Sequence, residues 1–336
     1  MNTLKPVLAR LAAGERLAES EAEAAFGIIM AGEATPAQIA GMLMAMRVRG
    51  ETVAEMTGAV RAMRARMTAI EAPPGTIDIV GTGGDSSGSL NISTATALVV
   101  AGCGVPVAKH GNRALSSRSG AADALAALGI DLDVPLDRLE VVLKSTGMVF
   151  LMAPRHHAAL RHAAGPRVEL GTRTIFNLLG PMANPARVRR QLTGAYDAAW
   201  LRPMAETLAR LGTEAAWLVH GQGLDEIALS GETHVVALES GTIREFTIAP
   251  EDAGLRRAPP EAIRGGEPAE NALALTALLD GAPGPYRDIV LLNAAAALVV
   301  AGRYTDLASF AARAAAAIDS GAASAVLARL KDATAA

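Results

Sequence analysis

The sequence predicts an α/β protein in which a small all-helical N-terminal domain precedes a larger body built on a mostly parallel sheet. Three observations carry this. Residues 1–70 are rich in alanine, leucine, methionine and glutamate at helical spacing. Ala72-Pro73-Pro74-Gly75 then breaks the chain. Beyond it, short β-branched runs alternate with helical stretches, the signature of βαβ units. A chain of 336 residues, 51% of them hydrophobic, can bury a large core and is long enough for two domains.

Within the helical part, Glu33-Ala34-Thr35-Pro36 is a break with a helix start at Thr35, followed by apolar Ile39, Met42, Leu43 and Met46 at helical spacing. Such a methionine stripe reads as packing. In the body, Ile77 to Val80 reads as a strand, Ser93 to Ala101 as a helix, Val105 to Ala108 as a strand and Gly120 to Leu128 as a helix. Arg155 to Leu179 reads as helical throughout, and Trp217-Leu218-Val219 as a strand feeding a Gly-rich loop. Residues 231–248 read as a hairpin turning at Ser240-Gly241, and the remainder returns to long helices.

Composition excludes several classes of function. The net charge is −3, without a block of like charges, so no global field favours nucleic acid or membrane. Any anionic ligand has to be held by local chemistry. No uncharged apolar run approaches membrane-spanning length, and the single cysteine, Cys103, has no internal partner. These features lead us to expect a cytoplasmic protein.

Four polar clusters interrupt the apolar elements. Gly81-Thr82-Gly83-Gly84-Asp85 follows a strand, and Ser89-Leu90-Asn91-Ile92-Ser93-Thr94 opens the next helix. Glycines let backbone N–H groups approach an anion, and the helix start favours negative charge there. The spacing is neither a Walker loop nor a dinucleotide fingerprint. Lys109-His110-Gly111-Asn112-Arg113-Ala114-Leu115-Ser116-Ser117-Arg118-Ser119-Gly120 lies between a strand and a helix, and its three fixed cations and three serines suit a flexible phosphate cradle. Asp225 and Glu226, just beyond a strand end, offer hard oxygen ligands of the kind that join Mg²⁺ to substrate phosphates. The last cluster runs from Ala153-Pro154-Arg155-His156-His157 through Arg167 to Gly171-Thr172-Arg173. Its paired histidines lack further soft-metal ligands at suitable spacing and read as substrate-facing or packed. Arg167 and Arg173, six apart on the expected helix, should point to different sides, so at most one faces a given ligand.

In this order, GTGGD, NIST, KHGNR, SRSG, GTRTIFNLLGP and LDE resemble the anthranilate phosphoribosyltransferase family over nearly the whole chain. The resemblance implies a nucleoside phosphorylase-like phosphoribosyltransferase fold. Its helical domain would comprise residues 1–70 with about 168–190, forming the dimer and the anthranilate side. The α/β domain would comprise 73–167 and 191–336 and bind phosphoribosyl pyrophosphate and magnesium. It implies transfer of the phosphoribosyl group to anthranilate, a step of tryptophan biosynthesis, by a homodimer that uses two Mg²⁺ ions.

Carried over residue by residue, donor contacts fall on Gly81, Gly84, Asp85, Ser89, Asn91, Ser93, Thr94, Lys109 and Ser117. Ile92, His110, Gly111, Arg113, Ala114, Leu115, Ser116 and Ala121 complete the substrate-binding set, and Ser93, Asp225 and Glu226 hold the metal. Anthranilate falls to Gly81, Asn112 and Arg167, with His157 nearby, and electrostatic catalysis to Lys109, Asp225 and Glu226. Four positions depart from the family pattern: Ser86 for glycine, Ser89 for threonine, Ala121 for serine and Ala158 for proline. Two other readings share the architecture, a pyrimidine nucleoside phosphorylase and a non-catalytic nucleic-acid-binding relative. The adjacent carboxylates and the KHGNR segment favour a metal-bound pyrophosphate donor over both.

Overall fold

The structure, a computed structural model, describes residues 3–113, 118–302 and 306–335. Four helices come first: α1 (Lys5–Ala12), α2 (Glu19–Ala31), α3 (Pro36–Arg49) and α4 (Val53–Arg66). Thr35 caps α3 as expected. Its hydroxyl accepts from Gln38 N at 3.3 Å and the Gln38 side chain accepts from Thr35 N at 3.0 Å, so two helix-end donors are satisfied reciprocally. Ile39, Met42, Leu43 and Met46 are all buried, which makes the methionine stripe core.

The body continues with β1 (Ile77–Gly81), α5 (Ile92–Gly102), β2 (Val107–Gly111), α6 (Ala121–Ala127), α7 (Leu139–Thr146) and β3 (Met148–Met152). Then come α8 (Ala153–His156), α9 (Arg161–Leu170), α10 (Phe176–Leu179), β4 (Arg190–Gly194), α11 (Leu201–Arg210) and β5 (Ala215–Gly221). The hairpin β6 (Thr233–Glu239) and β7 (Thr242–Ile248) leads to α12 (Pro268–Leu279), α13 (Pro285–Val300), α14 (Leu307–Asp319) and α15 (Ala322–Ala335). The hairpin turns at Ser240 and Gly241, both at positive φ (48° and 84°), as a two-residue type I′ connection requires. No described helix is long and apolar enough to cross a membrane.

One seven-stranded sheet has the order β3-β2-β1-β4-β5-β6-β7. The first five strands run parallel and the last two antiparallel. Alternation along β5 shows how it joins two cores: Trp217 and Val219 pack with α5 and α13, while Ala216 and Leu218 pack with α11 and the N-terminal bundle. Helix α9 packs back onto α2 and α3.

Two expectations need correction. The second strand covers Val107–Gly111, not Val105–Ala108, because Pro106 lacks the N–H that a ladder needs. Lys109, His110 and Gly111 therefore sit on a strand, paired with Phe150, Leu151 and Met152, not in a flexible loop. Residues 155–179 are not one helix: α9 ends where Gly171 turns left-handed at φ 58°, and Arg173 lies in the irregular segment beyond.

Candidate active site

In an open parallel sheet, ligands collect outside the C-terminal strand ends where the strand order reverses. Here that point is the β1/β4 boundary, because the chain steps outward from β1 to β2 and β3 and then returns to β4 on the other side. The segments leaving β1, β2, β3 and β5 line one cavity of about 380 Å³. A second hollow of about 500 Å³ between α1 and α2 contains none of the site candidates.

All four sequence clusters reach this cavity. Gly81, Gly84, Asp85, Ser89, Asn91, Ile92, Ser93, Thr94, Lys109, His110, Gly111, Asn112, Arg113, Ala121, His157, Arg167, Asp225 and Glu226 line it. Ala114, Leu115, Ser116 and Ser117 lie outside the described residues. Phe176, Asn177 and Pro181 of the GTRTIFNLLGP motif also line the cavity without having been assigned a role, and Met63 and Leu160 line it from outside every cluster. The signal was present in IFNLLGP, but no rule of spacing marks which apolar residues of a motif face a ligand.

The carboxylate pair is built into the sheet. Gly81 and Gly194 are register partners on β1 and β4, and a Cβ on either would overlap Asp225. The two glycines thus admit the Asp225-Glu226 turn against the strand ends. Gly83 N donates to Asp225 Oδ2 at 2.6 Å, and Ser93 N at the start of α5 donates to Glu226 Oε1 at 3.1 Å. On the far side, Asn293 of α13 grips Ile227: its Oδ1 accepts from Ile227 N at 3.0 Å and its Nδ2 donates to Ile227 O at 2.9 Å.

Lys109 is buried, not a free cation, and its Nζ donates to Ile79 O at 2.5 Å and Ser93 Oγ at 3.1 Å. Arg113 is ion-paired with Asp123 at 3.0 Å. Of the three fixed cations expected in a flexible cradle, Lys109 is therefore a rigid strand-borne ammonium, Arg113 is a paired guanidinium and Arg118 is exposed outside the cavity lining. Burial lifts the carboxyls of Asp225 and Glu226 well above the carboxylate range, and their mutual repulsion and that of Asp85 lift them further. Burial also lowers Lys109 against the attraction of Asp78, Glu226 and Asp225. Asp225, Glu226 and the Ser93 hydroxyl are hard oxygen donors of the kind Mg²⁺ takes, although among the described residues no three His, Cys, Asp or Glu side chains group closely enough to hold an ion by themselves.

The opposite wall is different. His110 Nδ1 lies 3.1 Å from Gly180 O, and since a carbonyl only accepts, that nitrogen carries the proton and Nε2 is bare. The His157 ring lies 5.2 Å from that of His110. Among the described residues, neither Nε2 has a hydrogen-bond partner. Burial and the neighbouring imidazole push His110 down to about 3, and burial with His156 pushes His157 down to about 4, so both are neutral at pH 7. Arg167 sits over the Phe176 ring at 5.2 Å, and burial lowers its pKa.

Of the two arginines, expected to point to different sides with at most one facing a given ligand, Arg167 lines the cavity and Arg173 does not. Because it lies past the end of α9, it instead stacks on Tyr196 at 4.1 Å and its Nη2 donates to Gly84 O. Tyr196 N in turn donates to Thr82 Oγ1 at 3.0 Å. Both arginines of the segment thus serve the site, one at the cavity wall and one behind the glycine loop.

A helical bundle joined to an α/β body, with an anion-binding glycine loop at the sheet's switch point, defines a glycosyl transferase. Residues 5–67 match the glycosyl transferase family helical bundle domain and residues 73–324 its a/b domain. A curated anthranilate phosphoribosyltransferase of Brucella suis biovar 1 (strain 1330) is 59% identical over 327 residues, 97% of this chain and 96% of that protein. The crystal structure of the Thermus thermophilus enzyme of that name superimposes with a TM-score of 0.94 at 44% identity, over 98% of this chain and 99% of that one. The Saccharomyces cerevisiae enzyme in complex with phosphoribosyl pyrophosphate and Mg gives 0.91 at 26% identity, over 99% and 98%. The chain belongs to the anthranilate phosphoribosyltransferase family.

Proposed function

We propose that this chain transfers the 5-phosphoribosyl group of phosphoribosyl pyrophosphate to the amine of anthranilate, giving N-(5-phosphoribosyl)anthranilate and pyrophosphate. One observation carries the reading. A single cavity carries a glycine loop, the buried carboxyls of Asp225 and Glu226, and a half-buried guanidinium over the Phe176 ring. The Brucella relative and the yeast donor complex support the same assignment.

On this reading, Gly81 to Thr94 and Lys109 hold the donor, while Ser93, Asp225 and Glu226 hold Mg²⁺. The ion, when bound, supplies neutralisation of charge on the departing pyrophosphate. The reading takes two such ions, a stoichiometry that calorimetric Mg²⁺ titration in the presence of the donor would read. Arg167 pairs with the carboxylate of anthranilate, Gly81 and Asn112 contact it, and Met63, Leu160, Phe176 and Pro181 take its ring. The aromatic amine is neutral near pH 7 and needs no strong base to become a nucleophile. Its proton has three candidate acceptors: His110, His157 and the substrate's own carboxylate. The reading includes a homodimer formed through the bundle, which Val48 and Val168, 82% and 81% exposed on the neighbouring helices α3 and α9, support.

The test follows anthranilate fluorescence with and without donor and Mg²⁺, beside phosphorolysis of thymidine and uridine. Loss of fluorescence that needs both additions is the expected result. Phosphorolysis without anthranilate consumption would overturn it.

A further inference from the structure

Asn91, the residue immediately before α5, lines the cavity with an amide whose two ends have opposite chemistry. Its NH2 donates to the oxygens of an anion, whereas its carbonyl repels them. Which end faces the ligand depends on what holds the other end.

The backbone fixes that choice from behind. Gly266 N donates to Asn271 Oδ1 at 2.8 Å. A backbone N–H can only donate, so the Asn271 atom facing it has to be the carbonyl oxygen. Asn271 therefore turns Nδ2 toward Asn91, where it donates to Oδ1 at 2.9 Å. The NH2 of Asn91 is left pointing the other way, where a carbonyl, Ser119 O, lies within 3.4 Å. Each link follows from the one before, beginning with a group whose polarity cannot reverse.

The anchor is also tied to the loop it serves. Gly265 N donates to Gly88 O at 2.8 Å and Leu90 N to Ile263 O at 2.9 Å, which stitches residues 263–266 to the donor loop. Tyr286 of α13 donates from its hydroxyl to Asn91 O at 3.2 Å and pins the backbone at the same point. Asn271 itself is 1% exposed and stands behind the cavity wall.

We propose that Asn271 is a positioning residue for the phosphoribosyl donor, setting the amide of Asn91 so that its NH2 is presented to donor oxygens. This rests on the transferase reading above, which supplies the donor. It places control of donor affinity on α12, a helix that no sequence motif connected with the site.

The test is steady-state kinetics of the Mg²⁺-loaded enzyme with each substrate varied in turn. In Asn271→Ala the amide of Asn91 loses its 2.9 Å anchor and keeps only two contacts to Ser119, both at 3.4 Å. Losing a well-aimed bond to a charged ligand should raise the donor KM roughly tenfold, with the anthranilate KM within about twofold of wild type. Asn271→Asp keeps the side-chain volume and the Gly266 bond, so it tests the idea where the alanine variant loosens α12. Its carboxylate only accepts and draws the Asn91 NH2 away from the ligand, so the donor KM should exceed that of the alanine variant. A donor KM unchanged in Asn271→Ala, or donor and anthranilate KM values rising together in both variants, would overturn the proposal. A wild-type chain that consumes no anthranilate defeats the function itself, whereas an active wild type with an indifferent Asn271→Ala defeats only this inference.

Discussion

Arg167 shows how a single side chain can be asked to divide two substrates. Its guanidinium is recessed over Phe176 and no carboxylate is paired with it among its described contacts, so an incoming carboxylate meets a cation already stripped of much of its water. Arg167→Ala should raise the KM for anthranilate by at least about tenfold and leave the donor KM nearly unchanged. Equal rises in both would remove Arg167 from that role. Gly194 is the opposite case, a residue that matters because it has no side chain. Gly194→Ala would force Asp225 off the β4 strand end, and overpacking of this kind costs about 1–3 kcal/mol. Turnover should fall together with Mg²⁺ affinity, and a variant whose metal titration matches wild type would show that the turn tolerates displacement. Ser86 stands where the family favours glycine and adopts φ 61°, a left-handed conformation that a Cβ disfavours. The departure is thus strain held in the donor loop.

Among elements, the segment between α9 and α10 joins the two halves of the cavity. Arg167 lies near the end of α9 over Phe176, and six residues later Arg173 holds the carbonyl of Gly84 in the glycine loop. Arg173→Ala should raise both KM values, and binding of either substrate should then promote the other less than in wild type, which calorimetric titration of one in the presence of the other would measure. Arg173→Lys should recover little, because an ammonium cannot both stack on Tyr196 and reach Gly84 as a planar fork does. An unchanged mutual effect of the substrates would sink this role. The same segment shows where the sequence was readable. The helical start, the sheet-forming alternation, the hairpin at Ser240-Gly241 and the four polar clusters follow from local rules, namely spacing, Pro and Gly punctuation and turn chemistry. Local rules did not reveal that Gly171 ends α9, so the expected helix ran on past Arg173. Nor did they reveal that Pro106 delays β2 and places Lys109 on a buried strand. Asn271, Tyr286 and Asn293 escaped notice because their partners lie 180, 195 and 66 residues away and only the fold brings them together.

Across the whole molecule, the cavity sets two kinds of group against each other, and the balance is readable as stability against pH. His110 and His157 have folded pKa values depressed to about 3 and about 4, below the usual value of roughly 6.5. Between those values and 6.5 the unfolded chain binds more protons, so the stability these residues contribute is complete above 6.5 and lost as pH falls toward 4. Asp225 and Glu226 are shifted upward, so the folded chain binds more protons once pH passes the ordinary carboxylate range of about 4. Their effect has the other sign: stability falls as pH rises through neutrality, where the histidines no longer titrate. The metal-free protein should therefore lose Tm between about pH 6.5 and 8.5. Mg²⁺ binds the ionised carboxylates, so the Tm increase it produces should grow over the same interval as protons cease to compete. Scanning calorimetry of wild type, of the double variant Asp225→Asn with Glu226→Gln, and of His110→Asn with His157→Asn separates the two sides. The carboxamide variant should lose both the alkaline decline and the Mg²⁺ response while keeping the acid decline. The asparagine variant should keep the first two and lose much of the third. A Mg²⁺-induced Tm shift that stays flat from pH 6.5 to 8.5 in wild type would show that these carboxylates are already ionised without the ion, and the upward shift assigned to them would not exist.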